Sequence, residues 1–141
     1  MTDERYPTEE LPDDYDDGTM PGNVAELEKA VIGRKIVSAE KCDGAPQSAY
    51  YGSGHGFRLT LDDGTQVWLM DTSDCCAFTE LDAFLLHPEN VDHAITGVGT
   101  TDGYTKWHIY ADLGDVLELD VDWSCGNPFY YGYGFDIVVA P

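Results

Sequence analysis

The stretch His93–Trp123, HAITGVGTTDGYTKWHIYADLGDVLELDVDW, decides the predicted fold of this protein. Two turn signals, Asp102-Gly103 and Leu113-Gly114, divide it into three short segments. In the third segment, apolar residues at positions 117, 119, 121 and 123 alternate with acids at 118, 120 and 122, which is the period of a strand with one buried face. The pattern predicts a meander of three antiparallel strands joined by tight turns.

Segments on both sides of the meander also predict strands. KIVSAEKC (residues 35–42) predicts a first strand, and GFRLTLDDGTQVWLMD (residues 56–71) predicts a hairpin that turns at Asp63-Gly64. YGFDIVVA (residues 133–140) predicts a last strand that closes the sheet. Because these strands follow one another without alternating helices, the order favours an antiparallel sheet over a βαβ fold.

Two segments predict helices. Asn23 and Glu26 have the spacing of a capping box, and apolar residues recur at positions 24, 27, 30 and 31, which predicts a helix over residues 24–32. TELDAFLLHPEN (residues 79–90) predicts a second, short helix that begins at Thr79 and ends before Pro88.

Taken together, these elements predict an α+β protein. We expect a mainly antiparallel, twisted or rolled sheet of about six to eight strands, with one N-terminal helix and one short helix. Residues 1–21 hold many acids and three prolines but few apolar residues, so we expect an acidic, disordered arm. Residues 22–141 are expected to form a single globular α+β domain, because that length suffices for one hydrophobic core.

The chain is strongly acidic, with a net charge of −20 from 27 acids against 7 lysines and arginines. The excess is not confined to the arm, since residues 21–141 hold nineteen acids and six bases. A field of this sign repels nucleic-acid phosphates and anionic lipid headgroups and attracts cations and basic proteins. We therefore expect no direct binding to nucleic acid or to membranes, and a partner protein that is basic.

The sequence also bears on the compartment and on the cysteines. It contains no apolar run long enough to span a membrane, and its first twenty residues lack the basic and apolar regions of a secretion signal. We expect a cytoplasmic protein. In that reducing compartment the four cysteines, at positions 42, 75, 76 and 125, are expected to remain free thiols.

The acids between positions 112 and 122 are the first candidate binding site. Carboxylates on one face of a strand lie about 6.6 to 7 Å apart, too far to share a proton but close enough to attract cations together. After Lys106 the chain contains no lysine or arginine. The alternative explanation is a solvated sheet face. The candidate residues are Asp112, Asp115, Glu118, Asp120 and Asp122.

The segment SCGNPFYYGYGFD (residues 124–136) is the second candidate binding site, with five aromatic residues interleaved with glycine. Tyrosine offers a rigid, amphipathic contact surface, so the segment predicts a recognition surface; packing in the core is the alternative. The candidate residues are Tyr130, Tyr131 and Tyr133.

The cysteines and histidines give a minor candidate for metal binding or thiol chemistry, made of Cys75, Cys76, Cys125 and His108. Structural zinc sites usually have ligand pairs separated by a few residues, and the cysteines show no such pair. Adjacent residues point to opposite faces of a strand, or about 100° apart on a helix, so Cys75 and Cys76 are expected to be poor co-ligands, with one thiol in the core. We therefore predict no bound metal, no cofactor and no catalytic residue.

The motifs SDCCAFTELDAFLLHPE and LDDGTQVWL, together with the stretch from Ile95 to Ile137, carry a resemblance to a known group of proteins. They resemble a family of small uncharacterised proteins from actinobacteria and their bacteriophages, a domain of unknown function. The resemblance covers residues 34–141. It implies a phage-encoded or phage-derived accessory protein, and it assigns no catalytic residues.

Three functions follow as hypotheses. The leading one is a non-enzymatic acidic protein in the host cytoplasm that binds a host protein, including a basic or nucleic-acid-binding one, by charge mimicry. The second is a structural or virion-associated module that self-associates through its tyrosines. The third is a metal-binding or thiol-dependent enzyme built on Cys75, Cys76 and a histidine. The sequence does not set the oligomeric state.

Overall fold

The computed structural model describes residues 6–11, 18–43, 52–127 and 130–141. Within these residues the chain forms one α-helix, α1 (Thr19–Val31), one single-turn 3-10 helix (Pro88–Asn90) and eight strands. The strands are β1 (Ile36–Cys42), β2 (Gly52–Leu61), β3 (Gln66–Asp74), β4 (Ala77–Leu86), β5 (Gly97–Thr101), β6 (Lys106–Ala111), β7 (Gly114–Ser124) and β8 (Asp136–Ala140).

The eight strands form one open sheet in the order β1-β2-β3-β4-β7-β6-β5, and every recorded pair is antiparallel. Strand β8 lies off this path and pairs with residues 66–70 of β3, whereas β4 pairs with residues 72–74. Since β2 occupies the other edge of β3, the strands β8 and β4 share one edge. The predicted antiparallel α+β class and the β5-β6-β7 meander are confirmed.

Helix α1 packs on one face of the sheet, chiefly against β5 and β8. Its fully buried residues, Met20, Leu27 and Val31, recur at helical spacing and face the sheet. At the centre of the core, the ring of Trp107 lies edge-on to Phe135 with centroids 5.3 Å apart. No helix in the described part of the chain has the length and apolar composition needed to cross a membrane.

Helix α1 begins earlier than the sequence predicted. It starts at Thr19, after Gly18, and Asn23 lies inside the helix rather than at its N-cap. The Asn23 side chain is buried and accepts a hydrogen bond from the Phe135 N–H at 2.8 Å while donating to the Phe135 carbonyl at 2.9 Å. Asn23 therefore resembles a cap in the sequence but fixes the C-terminal loop to the helix in the structure.

The predicted second helix over residues 79–90 is wrong, because these residues form most of β4 and the single 3-10 turn. Strand β4 pairs with β7 along Phe78–Leu86, with a shift of register between Leu81 and Ala83. The shift inserts Asp82 as an extra residue, a β-bulge, so Leu81 and Phe84 both pack against the core although they are three residues apart. A bulged strand thus imitates the spacing of a helix.

Part of the predicted acidic arm contacts the sheet. Residues 6–11, the N-terminal segment, lie over β5 and β6. The Glu9 carboxylate accepts hydrogen bonds from the N–H groups of Gly103 (2.7 Å) and Tyr104 (3.2 Å), and the Tyr104 hydroxyl donates to the Glu9 carbonyl. A Cβ atom at position 99 would lie 2.3 Å from the Tyr6 Cβ, so the glycine at this position lets Tyr6 approach β5 closely. Residues 1–5 and 12–17 of the predicted arm lie outside the described residues.

The end of the segment SCGNPFYYGYGFD (residues 124–136) is held by polar side chains of β3 and β4. The Gly134 N–H donates to Thr79 Oγ1, and Thr72 Oγ1 donates to the Gly134 carbonyl, both at 2.7 Å. The Gly132 N–H donates to Asp74 Oδ2 at 2.8 Å. Because these groups satisfy a buried irregular backbone, the loop can pack against the core before β8 begins.

Candidate functional site

The outward face of β4 and β7 carries a set of carboxylates that we call the acidic face. On β7, Leu117, Leu119 and Val121 are buried, and the acids between and after them point to the opposite side. This alternation matches the pattern read from the sequence. Strand β4 adds two acids that the sequence analysis did not select, because register alone pairs Glu80 with Asp122. The acidic face consists of Glu80, Asp82, Glu118, Asp120 and Asp122.

Three acids of this face converge at one end. One oxygen from each of the Glu80, Asp82 and Asp122 carboxylates lies within 4.8 Å of the others, and all three residues are exposed. The bulge at Asp82 produces the convergence, since it turns this extra residue toward the pair formed by the other two. Lys41 approaches the cluster through its ammonium, which donates to the main-chain carbonyl of Asp82 at 2.9 Å.

The other two acids of the face are paired with cations. Lys106 Nζ lies 2.9 Å from Asp120 Oδ1 and 3.7 Å from Glu118 Oε1. His87 Nε2 lies 2.6 Å from Glu118 Oε2, and this hydrogen bond raises the pKa of His87. The hydrogen bond to Asp120 likewise raises the pKa of Lys106. The face is therefore partly neutralised by ion pairs at its Glu118 end, whereas the ion pairs of the described residues do not include the three acids at its Asp122 end.

A second bulge builds a polar cluster around His108. Between the pairs Tyr110↔Asp115 and Ile109↔Leu117, strand β7 holds one extra residue, so Asp115 and Glu118 both face His108. His108 Nδ1 lies 2.9 Å from Asp115 Oδ2 and 4.0 Å from Glu118 Oε1. Its Nε2 lies 2.9 Å from Thr101 Oγ1. These contacts fix the imidazole between β5 and β7.

The Tyr6 ring covers this cluster. It stacks on the His108 ring with centroids 4.0 Å apart, and its hydroxyl donates to Asp115 Oδ1 at 2.9 Å. His108 is only 7% exposed as a result. His108, Asp115 and Glu118 offer ligand atoms within 4.8 Å of one another and could hold a metal ion. In the structure, His108 instead hydrogen-bonds to Asp115 under the tyrosine, and Glu118 pairs with His87.

The remaining predicted residues are placed elsewhere. Asp112 is exposed in the β6–β7 turn, 3.0 Å from His93 Nδ1, and does not extend the acidic face. Tyr130 is 80% exposed, whereas Tyr133 is 8% exposed and stacks on Trp123. Tyr131 is half-buried beside Cys75 and Cys76. The aromatic ending is thus largely core packing, with Tyr130 as its exposed member among the described tyrosines.

The structure separates the predicted metal ligands. Cys75 and Cys76 lie at the β3–β4 turn, next to the end of β7 where Ser124 pairs with Phe78. Glu118, the neighbour of His108, is six residues further back along β7, a distance of about 20 Å in an extended strand. His108 therefore does not share a site with the two cysteines. None of the four cysteines, all of which lie in the described residues, forms a disulfide, and Cys125 is buried.

The expectation that one thiol of the pair enters the core is wrong, since Cys75 and Cys76 are both exposed. They are the two central residues of a hairpin turn, because Asp74 pairs directly with Ala77. Their sulfur atoms lie 3.2 Å apart. Adjacent cysteines point to opposite faces of a strand or about 100° apart on a helix, but neither geometry applies to a turn.

A small cleft that the sequence did not predict is lined by residues of β1, β2, β3 and β4. It has a volume of about 240 Å³ and is lined by Lys41, Cys42, His55 and Asp71, among others. Burial raises the pKa of Asp71, whose carboxylate accepts a hydrogen bond from the Leu81 N–H at 3.0 Å. No signal in the sequence joins these residues, because sheet pairing brings them together.

Comparison with known proteins places this geometry in a family. Residues 29–137 match the model of a domain of unknown function, DUF7448. The chain belongs to the DUF7448 family. No curated protein and no solved structure matches it. The DUF7448 region includes all of β1 to β7 and both bulges, whereas the N-terminal segment and most of α1 precede it. The resemblance to an uncharacterised family is therefore confirmed, and the source of the protein stays a prediction.

Proposed function

We propose that this DUF7448 protein is a non-enzymatic binding protein whose acidic face binds a basic segment of a partner protein. The cluster of Glu80, Asp82 and Asp122 carries the proposal. These carboxylates converge within 4.8 Å and are exposed. Within the described part of the chain, the recorded ion pairs of lysine, arginine and histidine are made with other acids.

Electrostatics supports a cationic ligand at this cluster. Two like charges 4 Å apart repel by about 1 kcal/mol in bulk water and by more near a protein surface. A lysine or arginine placed among the three carboxylates would relieve this repulsion and form charge-assisted hydrogen bonds. The net charge of −20 adds long-range attraction, which raises the association rate of a basic partner at low salt.

The other end of the face adds an apolar contact. Leu85 is 55% exposed and pairs with Glu118 across β4 and β7. A partner lying along these strands would meet carboxylates at one end and a leucine at the other. Such a combination of a charged rim and an apolar anchor is usual in transient protein interfaces.

The partner that we propose is a host protein with a basic surface. The resemblance to actinobacterial and phage proteins supports an accessory protein that acts on its host. Rows of carboxylates on a sheet can occupy a surface that otherwise binds nucleic-acid phosphates, and direct nucleic-acid binding is disfavoured by the same charge.

The test is neutralisation of the cluster without change of shape. Glu80→Gln, Asp82→Asn and Asp122→Asn, combined in one variant, should weaken binding to an oligolysine peptide about tenfold at low salt, since three surface ion pairs at about 0.5 kcal/mol each are lost. Isothermal titration at several salt concentrations measures the loss. Affinity of the unaltered protein should fall steeply as salt increases.

The matched control changes the net charge equally at exposed acids away from the face, with Glu26→Gln, Asp62→Asn and Asp92→Asn. This variant should retain nearly all of the affinity. Equal weakening in the two variants would show that net charge alone attracts the peptide, and the proposed site would then be rejected. Affinity capture with the same two variants then identifies a host partner. A partner of the acidic face should bind the control variant more strongly than the variant with the neutralised cluster.

A further inference from the structure

The β3–β4 turn places two thiols where a hairpin normally has other residues. In two-residue hairpin turns the central positions need positive φ and usually hold Asn-Gly. Here they are Cys75 and Cys76, and Cys75 has φ 35°. A side chain in this conformation costs about 1 kcal/mol or more relative to glycine. The turn therefore holds a cysteine at a position where glycine would have a lower backbone energy.

The C-terminal loop supports the turn from outside. The Asp74 carboxylate accepts the Gly132 N–H at 2.8 Å, which fixes the residue before the cysteines. A side chain at Gly126 would lie 2.8 Å from the Cys76 carbonyl oxygen, so glycine lets the loop pack directly on the turn. The Tyr131 phenol lies beside both thiols and interacts with them. Residues fifty or more positions further along the chain thus pack against the turn.

The two sulfur atoms are placed for chelation. They lie 3.2 Å apart and both cysteines are exposed, so a ligand can reach them from solvent. A tetrahedral ion with metal–sulfur bonds of about 2.3 Å requires a sulfur–sulfur distance of about 3.8 Å. Small side-chain rotations supply that difference, whereas adjacent cysteines on a strand would point to opposite faces.

We propose that Cys75 and Cys76 form a bidentate dithiol site for a soft, thiophilic ion or metalloid, for which trivalent arsenic is the diagnostic probe. Thiolates are the ligands that such soft ions prefer. With phenylarsine oxide, two arsenic–sulfur bonds form while the arsenic–oxygen bond breaks. The two thiol protons leave with the oxygen as water, and arsenic stays trivalent.

The experiment is intact-mass analysis of the full chain after incubation with equimolar phenylarsine oxide, with a phosphine as reductant. One phenylarsenic group per chain is expected in the unaltered protein, resistant to excess glutathione and removed by 2,3-dimercaptopropanol. Cys75→Ser and Cys76→Ser should each lose about 100-fold or more in affinity, because a single thiol lacks the second, intramolecular bond. Circular dichroism checks that the variants remain folded.

Cys42→Ser and Cys125→Ala are the matched controls, and both should retain the adduct. Retention of the adduct in Cys75→Ser or Cys76→Ser would overturn the proposal. The proposal would also be overturned if the unaltered protein showed four reactive thiols when denatured but bound no arsenical when folded. Loss of the adduct in a folded Cys125→Ala variant would assign the second sulfur to Cys125 and equally reject the pair. A cadmium titration that follows the ultraviolet sulfur-to-metal charge-transfer band gives an independent measurement on the same variants.

Discussion

His87 links the acidic face to pH through one short contact. Its Nε2 lies 2.6 Å from Glu118 Oε2, and the side chains of both residues are largely shielded from solvent. The hydrogen bond raises the folded-state pKa of His87 above the ordinary value of 6.5. A raised pKa means that the ion pair contributes fully to stability below about pH 6.5 and loses its contribution as pH increases through the folded-state pKa.

We therefore predict that the unfolding free energy of the unaltered protein decreases between about pH 6 and about pH 8 by more than that of His87→Gln. Urea denaturation at each pH measures both values. His55→Gln is the control, since it removes an imidazole that is 70% exposed at a distant strand. Parallel pH curves for the unaltered protein and His87→Gln would refute the link.

At the scale of elements, two β-bulges decide where the side chains of the candidate sites meet. The extra residue in β4 brings Asp82 to Glu80 and Asp122, and the extra residue in β7 puts Asp115 and Glu118 on the same side of His108. A bulge moves all later side chains of a strand to the other face, so a strict period of two cannot locate them. Both clusters can therefore be located only from the register of the neighbouring strands.

The N-terminal segment is the second element whose role depended on tertiary contacts. Its composition is that of a disordered arm, yet Glu9 caps two N–H groups of the β5–β6 turn and Tyr6 covers His108. The sequence does not distinguish an acid in a disordered tail from an acid that accepts hydrogen bonds from a distant turn. It does not show which N–H groups the carboxylate will meet in the folded protein.

We predict that Glu9→Ala lowers the unfolding free energy by about 1 to 2 kcal/mol, because two turn N–H groups lose a charged acceptor. Hydrogen exchange at Gly103 and Tyr104 should become faster in the same variant. Glu10→Ala, which removes an exposed acid at the next position, should leave both quantities nearly unchanged. Equal effects of the two substitutions would mean that the segment acts only through its charge.

For the molecule as a whole, the net charge of −20 opposes compaction. Raising NaCl from about 0.01 M to about 0.15 M shortens the Debye length from about 30 Å to about 8 Å. We predict that the melting temperature increases over this range, because repulsion among surface carboxylates is screened. Thermal unfolding followed by circular dichroism measures the shift.

The variant with Glu80→Gln, Asp82→Asn and Asp122→Asn should show a smaller increase with salt, since part of the repulsion has been removed. A melting temperature that does not change with salt, or that falls, would contradict the view that self-repulsion limits stability. KCl at the same ionic strength should reproduce the effect of NaCl if screening is the cause.

The sequence by itself determined the antiparallel meander, the outward carboxylates of β7 and the strongly acidic character, because strand period, turn residues and charge are local properties. Tertiary structure decided that residues 77–86 form a strand, that Asn23 binds the Phe135 backbone and that Tyr133 lies in the core. It also decided that the adjacent thiols of Cys75 and Cys76 converge in a turn. These features depend on how the strands pair and on which distant segment supplies a hydrogen-bond partner. The local pattern of residues carries no information about strand register or about those partners.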